Sequence, residues 1–402
     1  MKTRRAATSP QAFQRFASHG PTRTAPYKAQ AKVKTSTTYT ILTIMPTVSE
    51  IERENNLRLS DLARSVSKLR VSVLPDFFLD RIIAVPSLSK LFAEAKAKAA
   101  AGGGNLRGYS QSEVHGGNAT NLAFALASLS ARTQLYCIGD KFARTATANR
   151  PANLQVRILP GRPGLTAAFE FPFKARMVNV MISDVGDLAD FDGNKFNADD
   201  ISALKASDCV ALVNWSANRS ANRLTKRVFS ARRRKGRLNF IDPADLSGAE
   251  DRIGPLKRII EEGLIDVISL NENEARILTK VLAVRALPRS YSARDVLRAS
   301  VDLHEALQVR VDIHTPTGCA STHDGHQAWV SSPGFVKGYV TGAGDVWDAG
   351  DIIGHVLHFT VDDRLRFANA CAYLYVSSEK ARTPNLREVT GFLSKHRAES
   401  RN

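Results

Sequence analysis

From Val71 onward the apolar positions gather into short runs, with helical or polar stretches between them. The first run, VSVLPDFFLDRIIAV, reads as a strand. Leu88 to Ala101 (LSKLFAEAKAKAAA) then predicts a helix, closed by Gly102, Gly103 and Gly104, residues that favour the left-handed turn past a helix end. The rhythm recurs. Asn121 to Leu129 predicts a buried helix, and Thr133 to Ile138, Cys209 to Trp215, Arg237 to Ile241, Ile265 to Leu270 and Gln308 to His314 predict strands. Short apolar runs separated by helical segments imply βαβ units and a largely parallel sheet covered on both faces, an α/β fold.

Two stretches depart from this rhythm. Gly104 to Glu113 and Leu165 to Ser183 (LTAAFEFPFKARMVNVMIS) alternate polar with apolar residues and carry few helix signals. They predict a small second sheet, with strands around 104–115 and 160–190, set against the main one as a lid over a site.

Length and composition fit this picture: 402 residues, 43% of them hydrophobic, suffice for one large domain with an appendage. No uncharged apolar run approaches the roughly 18 residues a membrane helix needs, so the expectation is a soluble, cytoplasmic protein with no membrane partner. Cys137, Cys209, Cys319 and Cys371 are far apart and form no Cys-x-x-Cys pair, which predicts buried structural thiols in a reducing compartment. The nine histidines show no metal-ligand spacing.

The net charge of +17 suggests a nucleic-acid partner until its distribution is read. Residues 1–44 hold Lys2, Arg4, Arg5, Arg15, Arg23, Lys28, Lys32 and Lys34 and no acid, so about half of the excess lies in a segment of disordered composition. An organellar targeting segment, a nucleic-acid-binding arm and sequence upstream of a start at Met45 all fit it. Nucleic acid is otherwise not expected. The division along the chain is then 1–44 basic tail, 45–70 helical lead-in, 71–395 folded domain and 396–402 C-terminal tail.

Three strings carry candidate chemistry. Thr341-Gly342-Ala343-Gly344-Asp345 precedes the apolar-periodic segment VWDAGDIIGHVLHF. Glycines before a helix let backbone N–H groups crowd around an anion, and the helix N-terminus adds partial positive charge. There the dipole favours an ionised Asp345, which can take a proton from a substrate hydroxyl, although an Asp cap after a Gly turn looks the same in sequence. Gly116-Gly117-Asn118-Ala119-Thr120-Asn121 opens an apolar helix, its glycines allowing close approach and its amides suiting sugar hydroxyls. Asn271-Glu272-Asn273-Glu274 follows a strand. Asn271 and Glu274 share a side at the helix start, where they suit either Mg²⁺ waters and phosphate oxygens or a helix cap.

GGNATN, NENE and TGAGD, in this order, resemble the PfkB family of carbohydrate kinases over most of residues 71–395. TGAGD is the most specific piece, and Trp347, Asp348, Ala349 and Gly350 continue the match. The resemblance implies a Rossmann-like ribokinase fold with a small β lid, use of ATP and Mg²⁺, a sugar or nucleoside as the small-molecule substrate, and a homodimer through the lid. It implies that Asp345 is the catalytic base and that Gly342, Ala343 and Gly344 form the anion hole. Asp80, taken as ending the first strand, and Gly116, Gly117, Asn118 and Asn121 would bind substrate. Asn271, Glu274, Thr315, Gly318 and Asn369 would lie around the nucleotide, with Glu274 near Mg²⁺ indirectly.

The chain departs from the family pattern at Leu74-Pro75-Asp76 and Phe78, near the substrate, and at His314-Thr315-Pro316-Thr317-Gly318-Cys319-Ala320, where Thr317 and Ala320 replace two glycines. Asp242-Pro243-Ala244-Asp245 reads as a turn, Asn214-Trp215-Ser216 as a strand end near the sugar pocket, and His115 as a polar neighbour of the glycines. The alternative function is a catalytically silent kinase-like binding protein whose basic tail contacts nucleic acid; retention of Asp345 favours the enzyme.

Overall fold

A computed structural model describes residues 59–173, 176–232, 236–334, 341–378 and 382–399. The basic segment 1–44 and most of the helical lead-in lie outside the described residues. Helix α1 covers 59–66. Then follow β1 (Arg70–Leu74), β2 (Phe78–Ala84), α2 (Leu88–Ala100), β3 (Gln111–Gly116), α3 (Asn118–Ser128), β4 (Arg132–Gly139), α4 (Lys141–Ala146), β5 (Leu154–Pro160), β6 (Gly164–Phe173) and β7 (Arg176–Asp184). Next come α5 (Ala198–Ala206), β8 (Cys209–Val213), α6 (Ala221–Ser230), β9 (Leu238–Asp242), α7 (Ile253–Glu261), β10 (Val267–Asn271) and α8 (Glu272–Val281). The last are α9 (Ala293–Leu307), β11 (Arg310–Thr315), β12 (Gly318–His323), β13 (His326–Ser331), α10 (Ala343–Val356), α11 (Val361–Ser377) and α12 (Leu386–Glu399).

Nine strands form the main sheet in the order β13-β12-β11-β10-β9-β8-β1-β4-β5. All neighbours from β11 to β5 are parallel, and β12 and β13 add an antiparallel edge. Central strands such as CVALV (β8) are buried at every residue, because helices cover both faces. Val210 and Leu212 point into a core with Leu224, Leu256, Leu278 and Leu303; Cys209, Ala211 and Val213 point into another with Leu122, Leu126, Ile352 and Phe367. All four cysteines are free and buried, as expected. Among the described residues, no helix is long and apolar enough to cross a membrane.

The run that reads as one strand from Val71 is two strands in two sheets. β1 lies between β4 and β8, whereas β2 joins the small sheet, ordered β3-β2-β6-β7. Pro75 offers no N–H to a ladder, and the side chain of Asp76 turns inward to accept the Ala119 N–H at 2.6 Å, so the chain leaves the main sheet there. Asp80 is therefore a lid residue on β2, not the end of the first core strand. The other strands of the small sheet are β3, which begins only at Gln111, and β6 and β7, which lie within 160–190. The sequence reading omitted β5 and the β12–β13 hairpin, and α12 runs to Glu399, past the expected boundary at 395.

Helix α10 positions the TGAGD string, and two of its glycines explain how. A Cβ on Gly350 would lie 2.7 Å from the Ala368 Cα, and one on Gly354 would lie 2.8 Å from the Arg364 Cγ, so α11 packs against α10 at backbone distance. That approach buries a charged network beneath the site. Arg310 Nε donates to Asp312 at 2.8 Å and its Nη2 to Asp351 at 2.5 Å; Arg364 donates to Asp351, to Asp312 at 3.4 Å and to Ser321 Oγ at 2.7 Å. His355 accepts from Arg310, and burial followed by the two guanidinium groups pushes its imidazole down to about 3, so it is neutral.

Candidate active site

The parallel strands end along one edge of the sheet, where ligands of open α/β folds bind. There stand Asp76 after β1, Asn214 after β8, Asp242 closing β9, Asn271 closing β10 and Thr315 closing β11. The N-terminus of α10 faces this edge, and Gly342 caps it at φ 81°, a conformation that favours glycine. The backbone N–H groups of the first turn have no intrahelical acceptor. A Cβ on Gly342 would come 2.8 Å from the Tyr375 hydroxyl, which donates to the Thr341 carbonyl at 2.8 Å. Asn179 of the lid donates to the Thr341 hydroxyl, so the loop is held from both sides.

Asp345 lies in that first turn and is 4% exposed. Asn118 and Asn121, on the first turn of α3, each donate an amide hydrogen to one carboxylate oxygen, both at 3.0 Å. The GGNATN and TGAGD strings are thus in direct contact, and the two asparagines meet the candidate base rather than only an open pocket. Burial, and then the Asp242 and Asp76 carboxylates, hold the Asp345 carboxyl well above the usual aspartate range, against the pull of the two amides. Burial among like charges thus opposes the helix dipole, which favours the ionised form.

Asp76 is the residue sequence reasoning missed. It is 1% exposed, and its oxygens accept from Ala119 N and from Asn214 Nδ2, both at 2.6 Å; burial pushes it up to about 6, against those hydrogen bonds. The available signal was a carboxylate in an otherwise apolar run at a strand end. Asp76 and Asp80 both lean on the glycine pair. A Cβ on Gly116 would lie 1.8 Å from an Asp80 oxygen, and one on Gly117 (φ +94°) 3.1 Å from an Asp76 oxygen. Asp80 is raised by its burial, against a hydrogen bond from Thr166. Trp215, in contrast, is a core residue with no exposed surface, its ring under Arg252, so Asn214 alone of that string faces the site.

Asn271 and Glu274 form a reciprocal capping box: Asn271 Oδ1 accepts from the Glu274 N–H at 3.0 Å, and Glu274 accepts the Asn271 N–H at 2.8 Å. The cap is real, and it places Glu274 deep in the site. Burial and then the Asp242 carboxylate hold Glu274 well above its usual range. Asp348, fully buried, accepts from Ser269 Oγ at 2.6 Å. Asp242, whose carboxyl meets Asp348, is pushed up to about 6 by burial. Asp345 and Asp348, in the first turns of α10, thus form an acidic floor with Asp242 and Glu274.

Thr315, Gly318 and Asn369 form a separate group, around the β11–β12 turn. The Thr315 hydroxyl donates to the Gly318 carbonyl at 2.8 Å, bracing the two-residue turn Pro316-Thr317. Gly318 (φ +152°) is crossed by β13, and a Cβ there would lie 2.5 Å from the Val330 carbonyl. Asn369 accepts from Trp347 Nε1 at 2.9 Å and donates to the carbonyls of Val330 and Ser331 at 3.1 and 3.2 Å. Its amide is committed to the fold, holding β13 and α10 together. A cavity of about 490 Å³ lined by Arg162, Asp184, Asp187, Asp190, Lys195 and Arg219 lies away from all of these residues, and Arg162 and Arg219 are paired with Asp184 and Asp190.

Comparison with known proteins gives this geometry a family. The pfkB family carbohydrate kinase model matches residues 85–388, and the chain belongs to that family. Solved structures share the fold at low identity. A ribokinase from Thermotoga maritima has a TM-score of 0.62 and 19% identity over 81% of this chain and 99% of its own. An adenosine kinase from Sinorhizobium meliloti has a TM-score of 0.61 and 14% identity over 82% and 99%. A ribokinase from Cryptococcus neoformans, solved in complex with ADP, has a TM-score of 0.60 and 14% identity over 81% and 99%. No curated protein matches the sequence.

Proposed function

We propose that this chain is an ATP-dependent phosphotransferase that moves the γ-phosphoryl group to a hydroxyl of a sugar, sugar phosphate or nucleoside. The supporting observation is Asp345: a buried carboxyl in the first turn of a glycine-led helix, held by two asparagines of the other glycine string. The family match and the fold it shares with a ribokinase, an adenosine kinase and an ADP-bound ribokinase support the substrate class and the nucleotide.

In this reading the acceptor lies between the lid and Asp76, Asp80, Gly116 and Gly117. Asp345 takes the hydroxyl proton as the acceptor oxygen bonds to the γ-phosphorus and the bond to the bridging oxygen breaks, leaving ADP. The N–H groups of Gly342, Ala343 and Gly344 stabilise charge on the transferring group. A raised carboxyl pKa suits a base working near neutral pH. Asn271, Glu274, Thr315 and Gly318 lie toward the nucleotide, with Asn369 shaping its wall. The carboxylates of the acidic floor, Glu274 among them, are hard oxygen donors that would suit a divalent cation, and Mg²⁺ bound there would neutralise phosphate charge.

Screening the purified chain for ATP consumption against a panel of sugars and nucleosides tests the reading; no turnover with any of them would sink it. Glu274→Gln keeps the capping box, because Gln serves in it as Glu does, so the fold should hold. It should raise the Mg²⁺ concentration for half-maximal rate and lower turnover, whereas an unchanged titration would reduce Glu274 to a cap.

The lid supports a homodimer. Leu165, Phe173, Val180 and Ile182 share its outer face by register and are 46–66% exposed. Ile182→Asp should shift the chain toward monomer in sedimentation, and an unchanged mass would exclude this face.

A further inference from the structure

The imidazole of His314 has no role in the chemistry above, and its surroundings point to one. His314 is the next-to-last residue of β11, opposite Asn271 of β10, at the strand edge toward which the proposed function puts the nucleotide. Its ring packs on Trp347 with centroids 5.1 Å apart, which fixes its plane. A Cβ on Gly344 would come 3.0 Å from its Cε1 and 3.5 Å from its Nε2. The Nε2 edge is therefore presented to Gly344, the last residue of the candidate anion hole, and a glycine is what makes room for it.

No hydrogen bond joins either ring nitrogen to another described residue, although the ring is half-buried at a polar edge. A ligand oxygen brought to that edge would meet a ring N–H that no described residue engages. Burial pushes the imidazole down to about 4, against the nearby Asp312, so at neutral pH it is uncharged and offers one N–H. An N–H beside the first turn of α10 adds to the backbone donors already aimed at an anion.

We propose that His314 is a phosphate-contacting residue of the nucleotide site, donating a ring N–H to a phosphate oxygen of the nucleotide held at the Gly342–Gly344 turn. This rests on the kinase reading. It predicts that His314 governs nucleotide affinity and leaves the acceptor side alone.

The test compares His314→Leu, which fills the space without a donor, with His314→Gln, which restores an N–H near the Nε2 position. ADP affinity of the full chain is measured by calorimetry beside the melting temperature. His314→Leu should weaken ADP binding roughly ten- to a hundredfold, the range of a hydrogen bond to a charged group, and His314→Gln should recover most of it. ADP binding within twofold of wild type in His314→Leu would overturn the proposal. Equal losses in both variants with a matching drop in melting temperature would overturn it too, leaving a packing role against Trp347. ADP binding needs no acceptor, so His314 can fail while the kinase reading stands. A wild-type chain that binds ADP yet phosphorylates nothing in the panel would sink the kinase reading and leave the contact measurable. A wild-type chain that binds neither ADP nor ATP overturns both.

Discussion

Replacing Asp345 with Asn should lower kcat by roughly 10² to 10⁴ while the melting temperature stays level or rises. The rate loss follows from the chemistry, since an amide cannot accept the hydroxyl proton. The stability expectation follows from the surroundings. Asp345 is buried with Asp242 and Asp76 within electrostatic reach, so a neutral side chain of the same shape relieves repulsion. One of Asn118 and Asn121 can still donate to the remaining carbonyl oxygen and the other can turn its amide to accept from the new NH2, and an amide at a helix start caps about as well as a carboxylate. Nucleotide affinity should be largely kept. Because the Asp345 carboxyl is raised, the base is lost as pH falls through that raised value, and the acid limb of kcat/KM should lie above the ordinary aspartate range. Asp345→Asn should abolish that limb. Turnover within tenfold of wild type at unchanged melting temperature would remove Asp345 from the mechanism. A stability loss of the size expected for a core cavity would instead mark it as structural.

The main sheet was readable because its strands are buried on both faces, and such strands appear as apolar runs whatever their neighbours do. β8 (CVALV) and β10 are cases. The break between β1 and β2 was not readable, because no apolar residue changes character at Pro75: Val73, Leu74, Phe77 and Phe78 are all buried, in different sheets. What separates them is a tertiary hydrogen bond from Ala119, 43 residues downstream of Asp76. The glycine strings were legible because close approach needs glycine, and Gly116, Gly117, Gly342 and Gly344 all sit where a Cβ would crowd a neighbouring side chain. The upward shift of the Asp345 carboxyl was not, since it depends on burial and on Asp242 of β9 and Asp76 beyond β1, which only the fold brings near. Asn369 shows a further limit. Its identity matched a nucleotide-site pattern, while the structure commits its amide to Trp347 and β13.

The largest stability effect should come from Arg364, far from any reacting atom. Arg364 and Arg310 face Asp312 and Asp351, all four at most 4% exposed at the side chain, so two positive and two negative charges balance in the interior. Burial alone would raise Asp312, but the two guanidinium groups hold it below the usual carboxylate range. By linkage, a carboxyl depressed in the fold contributes stability above its unfolded value and loses that contribution as pH falls through its folded value. Arg364→Met leaves Arg310 facing two carboxylates and one negative charge uncompensated, which typically costs about 3–5 kcal/mol. Removing the guanidinium also strips the donor from Ser321, while methionine keeps the Cβ and Cγ that lie against Gly354, so the loss reads the charges rather than the packing. The deficit should shrink as pH is lowered from 8 toward 5, because the carboxyl left without Arg364 can take up a proton and shed its charge. Adding Asp351→Asn should recover part of the loss at pH 8, since it removes the orphaned charge, and should make the remaining deficit less dependent on pH. Denaturant unfolding of wild type, the single variant and the double variant at both pH values checks this. A single-variant loss below about 1 kcal/mol, or a double variant less stable than Arg364→Met at pH 8, would show that the network is not what holds α10 beneath the site.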